Sequence, residues 1–369
     1  MEQMTPEQFG AYIQLLIERR NLTRDQAYAL FRELMLDSQN PLQQGAFLAA
    51  LVAKGETVEE IAGAWQAIDQ FDTVHPEGLP DDLFENSGTG MDGFKTFNVS
   101  SAAAIVAAAN GLPMARHGAR AITSRCGTVD IMEAMGVDVN CPAEKVAHSI
   151  RTAGIGLFNG MSPAIHPGSL GRILSQIRFG STLNIAASLA NPARPRNALR
   201  GVYSERLVAS TAAVMSQIGY KSGMVVHGTD SSTGLGMDEI SVSGPSVICR
   251  FSADKNERFT FAPEDVGMLC RNGEEVVPCD NRQHEIERFI QVVSGNGRYE
   301  ACEDFTSLNA GAMLWTAGKV DDLRQGVDIA RETLGSGKAL EKLRHWVECQ
   351  NESVGVGVAR FEALTAAAL

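Results

Sequence analysis

A chain of 369 residues that is 44% hydrophobic and 21% charged is long enough for two domains with a sizeable core, and too apolar to be disordered beyond its termini. Its net charge of −12 argues against general affinity for nucleic acid, which requires a surplus of Lys and Arg somewhere on the surface. No apolar run approaches the roughly 20 residues that span a bilayer, and the acidic start MEQMTPEQF lacks the features of a signal peptide, so a cytoplasmic protein is expected with no membrane partner.

Residues 1–70 read as four short helices. Thr5, Thr23, Asn40 and Thr57 each stand three residues before a Gln or Glu, the spacing of a capping box, and Pro6 and Pro41 occupy first helical positions. Apolar residues then recur at helical spacing (Phe9, Ile13, Leu16; Leu30, Phe31, Leu34; Phe47, Leu48, Leu51), which predicts a helical domain serving as scaffold. FDTVHPEGLPDD (71–82) carries two prolines and a glycine and marks a hinge. Over 83–369 short apolar strands alternate with helices, which predicts an α/β domain with a mainly parallel sheet. LFENSG, GLPMARHG, GIGLFNG, SGMVVHG and PSVICRF are the strand candidates; 98–110, 128–135, 143–153 and 205–218 are helical. Three helices at about 281–294, 304–316 and 319–348 close the fold, the last broken at 335–337, and the alanine-rich end is expected to fray. Residues 194–206, with Arg194, Arg196, Arg200 and Arg206, read as a solvated loop and a helix start. Seven cysteines, odd in number and never spaced as CxxC, suggest neither a disulfide framework nor a zinc site.

The segment NSGTGMDGFKTFNVSS (86–101) carries the clearest chemical signal. Glycines at 88, 90 and 93 leave backbone N–H groups free to close on an anion, and the helix behind them points its positive end at the same spot. A phosphate cradle and a plain strand-to-helix turn fit that loop equally well by itself. RHGARAITSRCGTVD (116–130) gathers three arginines, a histidine and several hydroxyls, apt for a phosphate ester. Asp238 and Glu239 place adjacent carboxylates after the loop HGTDSSTGLGM, as a magnesium site shared with phosphate oxygens requires, though an isolated pair is usually surface decoration. His166-Pro167 is a further candidate pocket wall.

In this order, these elements resemble the anthranilate phosphoribosyltransferase family, itself related to the pyrimidine nucleoside phosphorylases. The likeness runs from about residue 5 to about 350 and rests on AFLAALVAKGETVEEIAGA (46–64), SGTGMDGFKTFNVSSAAAIVAAANGLPMARHGARAITSRCGTVDIMEAMGV (87–137), the HP and NP dipeptides at 166 and 191, and VVHGTDSSTGLGMDEIS (225–241). The resemblance implies a magnesium-dependent enzyme that moves the phosphoribosyl group of phosphoribosyl pyrophosphate (PRPP) to an aromatic amine and releases pyrophosphate. It also implies a homodimer joined through the helical domain, with helices of 168–190 packing on that domain. By the same likeness, Gly88, Gly90, Asp92, Thr96, Asn98, Ser100, Ser101, Arg116 and Thr128 would hold the donor, and Ser100, Asp238 and Glu239 the metal. Ala119, His166 and either Arg172 or Arg178 would lie on the acceptor side.

The departures fall mostly on that acceptor side. Met91 breaks a glycine pair and must point away from the donor or narrow its site. Arg116 replaces a lysine, Thr128 a serine, and Ala119 an asparagine that in the family contacts the acceptor. Two residues are added between Phe158 and His166, NILGPL has become Asn184-Ile-Ala-Ala-Ser-Leu189, and 229–236 reads as an insertion. The expected function is phosphoribosyl transfer to anthranilate or another nitrogen-bearing aromatic. Two alternatives are a non-catalytic or nucleic-acid-binding relative, which the retained donor residues oppose, and nucleoside phosphorolysis.

Overall fold

The computed structural model describes residues 3–120, 126–252 and 255–369. Capping chemistry starts all four N-terminal helices where it was expected: α1 (Pro6–Ile17), α2 (Arg24–Met35), α3 (Pro41–Lys54) and α4 (Val58–Phe71). Thr5, Thr23 and Thr57 form reciprocal capping boxes. Asn40 differs, because Gln43 sends its side-chain N–H to the Pro6 carbonyl at 2.8 Å and so ties α3 to α1.

After α4 the chain runs β1 (Phe84–Ser87), α5 (Val99–Ala109), β2 (Met114–Gly118), α6 (Thr128–Ala134), α7 (Ala143–Ala153), β3 (Ile155–Asn159), α8 (Ser169–Ile177), α9 (Thr182–Ala187), β4 (Asn197–Gly201) and α10 (Leu207–Gln217). It continues through β5 (Ser222–Thr229), β6 (Gly236–Met237), β7 (Ser246–Ser252), β8 (Asn256–Phe261), α11 (Arg282–Ser294), α12 (Glu300–Thr316), α13 (Leu323–Gly335), α14 (Lys338–Cys349) and α15 (Val354–Ala368). The sheet order is β3-β2-β1-β4-β5-β7-β8; β3 through β5 are parallel, while β6 and β7 pair antiparallel with β5 and β8 antiparallel with β7.

Two apolar centres organise the molecule. Phe9, Phe31 and Phe47 meet edge to face, with centroids 5.5 and 5.2 Å apart, inside a cluster that also takes in Leu170 and Ile173 of α8 and Leu183 and Ala186 of α9. The larger cluster lies over the sheet, where the small residues of α5 allow close packing against α12.

Sequence reasoning needs three corrections. Residues 197–201 form a central strand, not a solvated loop, and Arg200 is only 3% exposed, because its charge is met inside the sheet. The alanine-rich end forms α15, anchored by buried Phe361. The antiparallel strand β8 went unrecognised because its six residues, NERFTF, hold only two apolar side chains and are mostly exposed.

Sheet order also locates the crevice. Connections from β1 and β4 leave toward opposite sides, so the gap beyond the C-terminal ends of these neighbouring strands is the position where α/β sheets bind ligands.

Candidate active site at the β1–β4 crevice

Residues 88–98 leave β1 at this crevice and lead into α5. Their shape is set by a residue about 150 positions away: Asp238 Oδ2 accepts from the Gly90 N–H at 2.6 Å and from the Thr89 hydroxyl at 3.2 Å. A side-chain carbon at Gly88 would run into the Asp238 carboxylate, and one at Gly201, ending β4, would enter the Asp238 backbone. Glycine is therefore required at 201 by the Asp238 backbone, while at 88 a side chain would displace the Asp238 carboxylate from the loop. Gly90 has φ +69°, a conformation glycine adopts without steric cost. Lys95 closes the loop, its ammonium donating to the Gly90 carbonyl at 3.0 Å and pairing with Asp92 at 2.7 Å. Residues 229–236 back this loop, with Phe94 N–H donating to the Gly236 carbonyl at 2.9 Å, while Asp230 draws its own turn together through Ser232 and Thr233.

Asp92, Asp238 and Glu239 gather three carboxylates in the crevice, all less than a tenth exposed, and Ser100 donates its hydroxyl to Glu239. Burial and then the Asp238 charge push Asp92 up to about 6. Burial, followed by the same Asp238 charge, pushes Glu239 up to about 8 against the pull of Ser100 and Arg116. Both shifts come first from burial and then from the neighbouring carboxylate, so a cation entering the cluster would lower both. Among the described residues no three His, Cys, Asp or Glu side chains form a ready-made metal cage. The oxygen-only donor set suits a hard divalent cation that keeps water or substrate oxygens in its shell.

Beside this cluster, Arg116, Ser101 and Thr128 form a buried network. The Arg116 guanidinium donates to Asn86 Oδ1 at 3.0 Å, Ser101 Oγ at 2.7 Å and Thr128 Oγ1 at 2.6 Å, and burial lowers it to about 10 despite Glu239 and Glu85. Asn86 in turn donates to the Ser100 carbonyl at 2.7 Å, joining β1, β2 and α5. Asn98 donates to the Cys126 carbonyl at 3.1 Å rather than capping α5, and Thr96 is half-buried nearby in sequence. Arg125, the third arginine of the 116–130 motif, lies outside the described residues. Arg120 is held by Glu133 at 2.7 Å and Asp130 at 3.1 Å.

The acceptor-side candidates are more dispersed. His166 Nδ1 donates to the Asp72 carbonyl at 2.6 Å, so its Nε2, 3.3 Å from His117 Nε2, accepts from His117. Burial lowers both imidazoles and keeps the pair neutral. The Asp72 carboxylate receives the Gly168 and Leu170 N–H groups at the start of α8. Ala119 is half-buried at the end of β2. Arg172 is engaged elsewhere, pairing with Asp37 at 2.6 Å on the helical bundle. Arg178 is exposed, makes no ion pair among the described residues, and takes φ +49° after α8. Met91 points outward and is 58% exposed.

Sequence reasoning missed a second buried ion cluster under the crevice. Arg200 donates to Ser87 Oγ at 2.7 Å and to Ser188, next to α9, while Glu85 accepts from the Tyr220 hydroxyl at 2.7 Å. A glutamate inside the apolar strand LFENSG and an arginine ending NALRG were the available signals.

Comparisons with known proteins match this architecture. Residues 81–340 match the model of a glycosyl transferase family, a/b domain, and residues 10–71 match the helical bundle domain of the same family, which defines the class. The anthranilate phosphoribosyltransferase of Anaeromyxobacter sp. (strain K) is 37% identical over 90% of this chain and 96% of its own length. That of Methanothermobacter thermautotrophicus is 34% identical over 92% and 97%. The crystal structure of the Thermus thermophilus enzyme superposes with a TM-score of 0.82 at 30% identity, covering 92% of this chain and 98% of that one. The Saccharomyces cerevisiae enzyme in complex with PRPP and Mg has the same fold, with a TM-score of 0.81 at 22% identity over 94% and 99%. The chain belongs to the anthranilate phosphoribosyltransferase family.

Proposed function

We propose that this protein transfers the phosphoribosyl group of PRPP to the amine of anthranilate and releases pyrophosphate. The observation carrying this reading is the anchoring of the glycine loop to the carboxylate cluster by Asp238, at the crevice of a chain related throughout to such enzymes. Gly88 and Gly90 leave room for the pyrophosphate against the loop backbone, the Gly90 N–H itself being held by Asp238, with Asp92, Thr96, Asn98 and Ser100 around the donor. Arg116, Ser101 and Thr128 brace that wall from behind.

The acceptor nitrogen attacks the anomeric carbon as the bond to pyrophosphate oxygen breaks; pyrophosphate leaves with the bonding pair, and the amine loses one proton. An aromatic amine is already neutral at pH 7, so positioning outweighs a strong base. Magnesium, when bound, offsets charge on the leaving pyrophosphate. Ser100, Asp238 and Glu239 would hold it, and their crowded oxygens fit that role. On the acceptor side, His166 orders the wall, and Arg178 is the cation available to a carboxylate while Arg172 is occupied.

Two organisational readings accompany this. Residues 71–82 act as the hinge between the helical unit, 1–70 with 168–190, and the α/β domain. Two copies pair through the helical unit, a reading supported by exposed Ile17, Leu36 and Leu42; sedimentation showing a monomer at micromolar concentration would refute it. Cysteines that form no disulfide among the described residues support a cytoplasmic place of work.

The test is to incubate purified protein with PRPP, magnesium and anthranilate, following pyrophosphate release and loss of anthranilate fluorescence. PRPP binding without anthranilate turnover would remove anthranilate as acceptor and leave the donor reading intact.

A further inference from the structure

Met91 is 58% exposed, in the middle of a loop otherwise made of glycine, threonine and aspartate. A side-chain carbon built at Gly180 would lie 3.8 Å from the Met91 methyl, so this thioether lies close to the segment between α8 and α9. Beside Gly180 stands Phe179, 41% exposed and outside every apolar cluster of the described residues. The chain enters this pair through Arg178 in the left-handed region, which non-glycine residues seldom adopt. On the other flank of the loop, a carbon at Gly93 would lie 3.7 Å from Leu235, itself 47% exposed.

Exposed apolar side chains in such a group mark a binding surface. Gly90, next to Met91, turns its N–H to Asp238, so Met91 follows directly on the residue that ties the loop to the carboxylate cluster. A flat apolar ring attached to a polar reacting group fits that position better than a second protein would.

We propose that Met91 and Phe179 form the apolar seat of the acceptor's aromatic ring and determine which ring substituents this enzyme accepts. The proposal rests on the phosphoribosyl-transfer reading and adds a specificity element on this chain's own residues. Methionine is suited to such a seat because its thioether is polarizable, adapts to ring shape and makes favourable contacts with aromatic faces and edges.

The test uses full-length protein labelled with 13C in its methionine methyl groups, with the Met91 signal assigned through Met91→Leu. Anthranilate and its ring-methylated derivatives are titrated with magnesium and pyrophosphate present, so that no turnover occurs. A saturable upfield shift of the Met91 methyl is expected, with buried Met313 unmoved. In steady state, Met91→Gly and Phe179→Ala should each raise the anthranilate KM roughly three- to tenfold and leave the PRPP KM within twofold. An unmoved Met91 methyl at saturation, or equal changes in both KM values, overturns the seat. Shifts in a protein that turns over no anthranilate keep the seat and remove the transfer reading; turnover with an unmoved methyl does the reverse.

Discussion

The two sides of the crevice are built differently. On the donor side, the glycine loop, the α5 start and the Asp238–Glu239 pair are tied by contacts between residues about 140–150 positions apart, and glycine is enforced at 88 and 201 by steric contact. On the acceptor side, the candidate residues sit on separate segments, one arginine is engaged on the helical bundle and another is exposed. A fixed donor wall facing an adjustable acceptor wall separates the shared chemistry, charge placement around a leaving pyrophosphate, from the part that reads the acceptor.

The sharpest way to break this contrast is the double variant Asp238→Ala with Glu239→Ala. Transfer should fall by about 10³-fold or more, since a single preorganised electrostatic group is commonly worth about 10²–10³. Calorimetry should show that magnesium no longer strengthens PRPP binding, and unchanged binding would contradict the assigned metal pair. Next comes the support beneath the donor wall. Arg200→Met removes the hydrogen bonds to Ser87 and Ser188 and a positive charge that favours ionised Glu85, which should cost about 1–3 kcal/mol in urea unfolding, and adding Glu85→Gln should recover part of it. No shift in the unfolding midpoint would show that Arg200 is dispensable to the sheet.

A smaller effect belongs to the histidine pair. Burial depresses His117 and His166 in the folded state, so below about pH 6.5 the unfolded chain binds protons that the folded one does not. Stability is therefore fully present above that pH and is lost as pH falls, by up to about 1.4 kcal/mol per pH unit for each group. His166→Asn, which keeps a donor toward the Asp72 carbonyl, should flatten the decline in melting temperature between pH 6.5 and 5; an unchanged slope would assign the decline to other groups. The smallest effect tests the two arginines. Arg172→Ala should cost about 0.2–1 kcal/mol, as for other exposed ion pairs, and leave anthranilate kinetics unchanged. Arg178→Ala should raise the anthranilate KM, and the reverse ranking would exchange their roles.

Much of this was legible because local chemistry announces itself. Thr5, Thr23 and Thr57 start their helices where their side chains dictate, and the glycine spacing at 88, 90 and 93 marked the loop that carries the site. Arg200 was misread because a charged residue carries no sign that its hydrogen-bond partner, Ser87, lies more than a hundred positions earlier. Likewise nothing local to Gly88 tells that an aspartate at 238 forbids a side chain there. Arg172 and Arg178 could not be separated from sequence, since the choice depends on Asp37 reaching one of them from another helix.

The double duty of Asp238 has a consequence for synthesis on the ribosome. β1 to β4 have all emerged once residue 201 has, while β5 and the helices that pack over the sheet follow later. The glycine loop between them meets its anchor only after Asp238 and Glu239 follow, so every shorter nascent chain carries the loop without the group that shapes it. Ability to hold the donor thus arrives in one step, late in translation, and no truncated product ending before that point can sequester PRPP through the completed site.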